Sequence, residues 1–191
     1  MLHIGSGASL CACLNAKSIA TTMGFATLDG VMMGTRSGTI DTGVLLYLIN
    51  QGYNYQELNN LLYKNSGLLG VSGISADMRV LKVSNSPLAQ DAINLFTYNI
   101  CQKIGSMIQS LEGIDIISFS GGLAEHDSLF RLNICKKLKW LGLNINEELN
   151  NNANNNEILK ISNSDSQIEV WIIPTNEEIM IAKEASKLIL T

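Results

Sequence analysis

The chain has 191 residues, 46% of them hydrophobic, and a formal net charge of −4. That is enough apolar material for one globular domain with a full core over residues 1–191, while the acidic balance argues against a nucleic-acid surface, which needs a basic face. No run of 18 apolar residues offers a membrane span, and the opening residues show no basic segment followed by an apolar stretch, so no signal peptide is read and a cytoplasmic location is expected.

Leu10 to Leu14, the turn Asn15-Ala16-Lys17 and Ser18 to Thr22 read as a β-hairpin. Gly38 to Gly52 looks helical, with Ile40, Val44, Leu45, Leu48 and Ile49 on one face and Gly52 as the stop. A second helix is expected from Tyr55 to about Lys64, with Leu58, Leu61 and Leu62 inward, and Ser66 to Ser75 is glycine-rich and loop-like. The clearest helix starts after Ser86. Serine caps, Pro87 suits the first helical position, and Leu88, Ala92, Ile93, Phe96, Ile100, Ile104, Met107, Ile108 and Leu111 recur at helical spacing until Gly113.

Ile114 to Ser120 is a short apolar run of strand type, turned sharply by Gly121-Gly122. Ser128 to Leu141 is the next helix, with Phe130, Ile134, Leu138 and Leu141 inward and Gly142 as the stop. Asn150 to Asn156 reads NNNANNN, a low-complexity loop free to vary in length and without chemistry. Ile168 to Ile173 is a strand, and Thr175 to Leu190 is the last helix. Helix, strand, Gly-Gly turn, helix is an α/β pattern. The four cysteines (Cys11, Cys13, Cys101 and Cys135) are expected to be small buried hydrophobes, since their spacing and the two histidines do not suit zinc.

Five segments carry chemistry. His3-Ile4-Gly5-Ser6-Gly7 has two glycines two apart, where backbone N–H groups can approach an anion; such turns also occur in plain hairpins. Arg36, in Thr35-Arg36-Ser37-Gly38, is a fork that can grip several phosphoryl oxygens, or a surface arginine. Asp77-Met78-Arg79 offers an acceptor for ribose hydroxyls and a thioether for a purine face, or an Asp–Arg pair beside a buried methionine. Gly121 to His126 puts a Gly-Gly turn between strand and helix, which aims backbone groups at a ligand. In Thr175-Asn176-Glu177-Glu178, Thr175 and Glu178 have capping-box spacing, which leaves Glu177 for another task, or the two acids simply suit a helix N-terminus.

HIGSGAS, the run from Met23 to Asp41 (MGFATLDGVMMGTRSGTID), SADMR, SGGLAE and PTNEEIMIAKEA together resemble the acetate kinase family along the whole chain. The resemblance implies an α/β, ribonuclease H-like domain of the acetate and sugar kinase, Hsp70 and actin superfamily. It implies ATP as co-substrate, Mg2+ or Mn2+ as the metal, and transfer of the γ-phosphoryl group to acetate, giving acetyl phosphate and ADP. Propionate or butyrate would suit sister enzymes.

Carried over residue by residue, Arg36 stabilises the transition state and Glu177 holds the metal. His3, Ile4, Gly5, Ser6, Gly7, Asp77, Met78, Arg79, Gly121, Gly122, Leu123, Ala124, Glu125 and His126 line the ATP site. Thr27 stands where the family has a proline against the acyl methyl group. Ser6 replaces an asparagine, Ala124 a glycine and His126 an asparagine; if the glycine has positive φ, Ala124 costs about 1 kcal/mol or more.

The family's active site lies between two related domains. This chain is expected to begin where the second one does, with its first strand cut short and the face toward the absent domain exposed and partly apolar. Three readings follow: an acetate kinase domain that is inactive alone, half of a split kinase whose N-terminal domain is a separate chain, or a non-catalytic nucleotide-binding remnant. Homodimerisation through this domain is also implied.

Overall fold

The protein, a computed structural model that describes residues 1–153 and 157–189, is organised around a six-stranded sheet. In chain order the strands are β1 (Leu2–Ile4), β2 (Ala8–Leu14), β3 (Lys17–Thr21), β4 (Ile116–Ser120), β5 (Leu159–Lys160) and β6 (Glu169–Ile172). Their spatial order is β3-β2-β1-β4-β6-β5. β1, β4 and β6 run parallel as neighbours, and the other pairings are antiparallel. The expected hairpin is present: Asn15 and Ala16 take φ of 50° and 61°, the two left-handed residues that match a two-residue turn to the strand twist.

Burial follows the strand period where one face is covered. Ala8, Leu10 and Ala12 of β2 point into the core and alternate with more exposed neighbours. β4 is different, because Ile117, Ser118, Phe119 and Ser120 are all buried. A parallel strand between two parallel neighbours has both faces covered, so its sequence does not alternate.

The helices are α1 (Thr42–Asn50), α2 (Tyr55–Lys64), α3 (Gly67–Ser72), α4 (Met78–Lys82), α5 (Pro87–Leu111), α6 (Gly122–His126), α7 (Ser128–Lys137), α8 (Glu147–Asn151) and α9 (Glu177–Ile189). α5 is the spine. Ala89, Ala92, Phe96, Ile100 and Ile104 form its buried stripe, and it lies against β2, α3, α4 and α7. The Phe96 and Phe130 rings join α5 to α7 with centroids 6.0 Å apart. No described helix is long and apolar enough to cross a membrane.

Several expectations are corrected. Ser66 to Ser75 is not a loop, since α3 occupies its centre. α1 starts at Thr42, where Asp41 caps it by accepting from Gly43 N–H; Gly38, at φ of 70°, lies where an added Cβ would meet the Val31 backbone and is not helical. No residue of α1 is buried; Leu45 and Leu48 are half-covered, while Val44 and Ile49 face outward. The helix expected to reach Leu141 stops at Lys137 and continues as a single 3₁₀ turn, Lys139–Leu141. The asparagine run is not wholly loop. Asn150 lies in α8 and is fully buried, while residues 154–156 fall outside the described residues. Of the cysteines only Cys135 is buried, and Cys13 is exposed.

Burial pushes the Cys101 thiol up to about 11 and the Cys135 thiol up to about 12, from an ordinary 9.0. The folded chain holds these protons more tightly than the unfolded one. Their contribution to stability is complete below the unfolded value and is lost as pH climbs toward the folded values. Urea melts should show stability falling above about pH 9, with a shallower fall in Cys135→Val. An unchanged slope in that variant would contradict the burial of this thiol.

Candidate active site

Three sequence-distant motifs meet because β1, β4 and β6 are parallel neighbours. Leu2 and His3 pair with Phe119 and Ser120, and Phe119 pairs with Ile172. The turn His3–Gly7, the Gly121–Gly122 turn and the segment Thr175–Glu177 therefore leave the same edge of the sheet. The carboxyl ends of parallel strands are where ligands bind in open α/β sheets, since loops there diverge and leave a crevice.

The first two turns touch. A Cβ built on Gly5 would lie 3.7 Å from the Gly122 nitrogen. One built on Gly121, whose φ is 84°, would lie 2.8 Å from the Ile4 carbonyl oxygen. Gly5 N–H donates to the Gly7 carbonyl at 2.8 Å, which closes the first turn on itself. In front of these turns is a cleft of about 1080 Å³. Its walls include His3, Gly5, Ser6, Gly7, Asp77, Met78, Arg79, Gly121, Gly122, Leu123 and His126, and also Thr175.

Arg36 stands beside this cleft. Its Nη1 is 3.8 Å from where a Gly7 Cβ would be, and it donates to the Thr27 carbonyl at 3.0 Å. Arg36 and Thr27, expected for the phosphoryl and acyl groups, are thus in direct contact. No regular structure holds this loop; individual hydrogen bonds do. Met32 N–H donates to Asn99 Oδ1 of α5, Thr35 Oγ1 to the Tyr63 carbonyl, and Ser66 N–H to the Thr35 carbonyl. The first amides of α3 (Leu68 and Leu69) donate to the carbonyls of Met33 and Gly34. Gly67, at φ of 63°, permits that approach, since a Cβ there would be 2.2 Å from the Met33 oxygen. Among the described residues Arg36 has no carboxylate partner, so the rest of its fork is not committed to a counter-ion.

Asp77 caps α4 and pairs with Arg79, whose Nη2 lies 2.6 Å from Asp77 Oδ2. The Arg79 side chain and, secondarily, its backbone N–H hold the Asp77 carboxyl below the usual range. Met78 is buried yet still lines the cleft. Lys82 and Asp127 form an ion pair between α4 and the start of α7, and both line the cleft. His126 Nδ1 is 2.9 Å from the Gly122 carbonyl oxygen.

Three residues expected in the ATP site do not line the cleft. Ile4 is a core residue with no exposed surface. Ala124 is fully buried within α6, and its φ is not positive. The strain considered for it does not arise, because the left-handed position is Gly121. Glu125 is buried, and its Oε1 accepts from Gly121 N–H (2.6 Å), Thr175 N–H (2.9 Å) and Thr175 Oγ1 (2.9 Å). Thr175 is therefore no capping-box residue for α9; Asn176 Oδ1 accepts from Ile179 N–H instead. Glu177 opens α9, and its side chain lies outside the described residues.

Sequence reasoning missed the support behind the Gly-Gly turn. Arg131, almost wholly buried, donates from Nη1 to the carbonyls of Ala124 and Glu125, and from Nε and Nη2 to Asn150. Burial pushes its guanidinium below its ordinary value. No local pattern announces such an arginine. Asp127 could have been found: it precedes Ser128 and its Oδ1 accepts from Phe130 N–H as the cap of α7.

The profile of the acetokinase family matches residues 1–183, and the chain belongs to that family. It is 50% identical to the acetate kinase of Rickettsia felis over 188 residues, which is 98% of this chain and 48% of that protein. It superposes on the crystal structure of Porphyromonas gingivalis acetate kinase with a TM-score of 0.90 at 32% identity, covering 98% of this chain and 48% of that one. A propionate kinase from Francisella tularensis gives a TM-score of 0.85 at 37% identity, covering 96% of this chain and 47% of that one. The fold is thus the α/β, ribonuclease H-like fold of the acetate and sugar kinase, Hsp70 and actin superfamily. The chain spans about half the length of the curated relatives it matches.

The contact of Gly121 with Ile4 yields a paired test. Gly121→Ala forces a side chain into left-handed backbone against the β1 chain and should cost about 1–3 kcal/mol in urea melts. Gly122→Ala, with open space around it and helical backbone, should stay within about 0.5 kcal/mol of wild type. Equal effects would contradict the described turn.

Proposed function

We propose that this chain binds ATP and forms one wall of a carboxylate kinase that transfers the γ-phosphoryl group to acetate. One acetate oxygen attacks the γ-phosphorus, the bond to the β-phosphate oxygen breaks, and acetyl phosphate and ADP leave. The turns at the ends of β1 and β4 hold the phosphates through backbone N–H groups. Arg36 spreads its positive charge over the transferring group, where a fixed guanidinium is worth most. Glu177, at the start of α9 after the connection from β6, would hold Mg2+ or Mn2+ together with phosphate oxygens, and the metal would supply charge neutralisation there.

The observation that supports this best is that Gly5, Gly7 and Gly122 line the cleft with Arg36 beside Gly7. Since the chain spans about half of its relatives' length, the opposite wall is proposed to come from a second kinase domain. Propionate is the second acceptor considered, on the likeness to the Francisella tularensis propionate kinase. Homodimerisation through this domain belongs to the same reading, as does a cytoplasmic location. The uncovered apolar residues of α1 (Leu46, Tyr47 and Ile49) support a partner surface.

Calorimetry with Mg·ATP should give a dissociation constant in the micromolar range, weakened about tenfold or more in Arg36→Ala. Acetyl phosphate, trapped as the hydroxamate, should stay at background with the chain alone. Absence of binding at millimolar nucleotide would contradict the reading, and robust turnover by the lone chain would overturn the two-walled cleft.

A further inference from the structure

We propose that Glu125 is a positioning residue that locks the phosphate-binding turn to the segment carrying the metal-binding acid, so that the two move as one body. The part that concerns nucleotide rests on the function proposed above; the mechanical part does not.

Glu125 stands in a sequence segment expected to touch ATP, yet its carboxylate is already used. A single oxygen, Oε1, takes three hydrogen bonds: one from Gly121 N–H and two from Thr175. Gly121 is the pivot of the turn after β4. Thr175 lies in the connection from β6 to α9, two residues before Glu177. A buried carboxylate that accepts three donors from two loops cannot release one loop without leaving charge unsatisfied, and that cost couples them.

The anchor of this strut is also fixed. Arg131 Nη1 holds the Glu125 carbonyl at 2.6 Å, and Arg131 is in turn bonded to Asn150. The side chain therefore projects from backbone that is clamped from behind. Neither Arg131 nor Asn150 lines the cleft.

The test uses the intact chain and three variants. Glu125→Ala removes the acceptor, Glu125→Gln keeps an oxygen in its place, and Thr175→Val removes only the hydroxyl donor. Hydrogen exchange followed by mass spectrometry is expected to show Gly121–Leu123 and residues 173–176 exchanging at least about tenfold faster together in Glu125→Ala. Peptides from the α5 core should be unchanged, and Glu125→Gln should behave like wild type. Thr175→Val should loosen both segments to a smaller extent. If Glu125→Ala does not fold, the latter two variants decide. Exchange that rises in one segment alone, or a Thr175→Val that leaves residues 121–123 untouched, overturns the proposal.

The second readout is the factor by which Mg2+ tightens ADP binding. It should fall about tenfold in Glu125→Ala and be restored in Glu125→Gln, over and above any loss of metal-free ADP affinity. A merely structural role would weaken both affinities alike, and that result rejects the coupling. If wild type binds no nucleotide at all, the proposed function fails, while the exchange data still judge the strut.

Discussion

The short parallel ladder between β1 and β4 is the constraint on which the rest depends. Only Leu2 and His3 pair with Phe119 and Ser120, yet that register fixes where the chain turns twice. Directly beyond it, Gly121 lies against Ile4 so closely that a single added carbon would meet backbone on the far side. A side chain there would push the two glycine turns apart. The cleft exists because glycine lets two main chains approach, and because the adjacent parallel strand β6 delivers Thr175 to the same edge.

The arginine is held by different means. Residues 31–37 have no ladder of their own, so their polar backbone groups are satisfied one at a time by α5, by the end of α2 and by the first turn of α3. Each such bond contributes only about 1 kcal/mol net. Several acting on seven residues nevertheless leave the loop little freedom, and Arg36 inherits that order. Packing supplies the platform: Phe96 on α5 and Phe130 on α7 tie the helix behind the arginine loop to the helix behind the Gly-Gly turn.

Much of this was legible in the residues, and the reasons are specific. α5 could be read because its apolar residues recur at helical spacing over 25 positions after a proline start. The hairpin could be read from Asn15 between alternating strands. Motif matches named the glycine turns, Arg36 and the Asp77-Met78-Arg79 segment. The failures share a cause. α3, α4, α6 and α8 are five or six residues long, too short for a period to emerge, and they form because tertiary contacts hold their ends. Asn150 looked like one letter of a polar run, but its neighbour in space is Arg131, nineteen positions away. Glu125 looked like a ligand because it sits in a ligand motif; its true partners, Gly121 and Thr175, are set by the order of strands, which no local pattern encodes.

The central claim is that the loops leaving β1, β4 and β6 make one phosphate site with Arg36. Chemical-shift mapping of the isotopically labelled chain during titration with Mg·ADP tests it most directly. The amides of Gly5, Gly7, Gly122 and Leu123 and the Arg36 side chain should shift together along one saturation curve. Saturable shifts confined to another surface, or separate curves for the two glycine turns, would contradict the account.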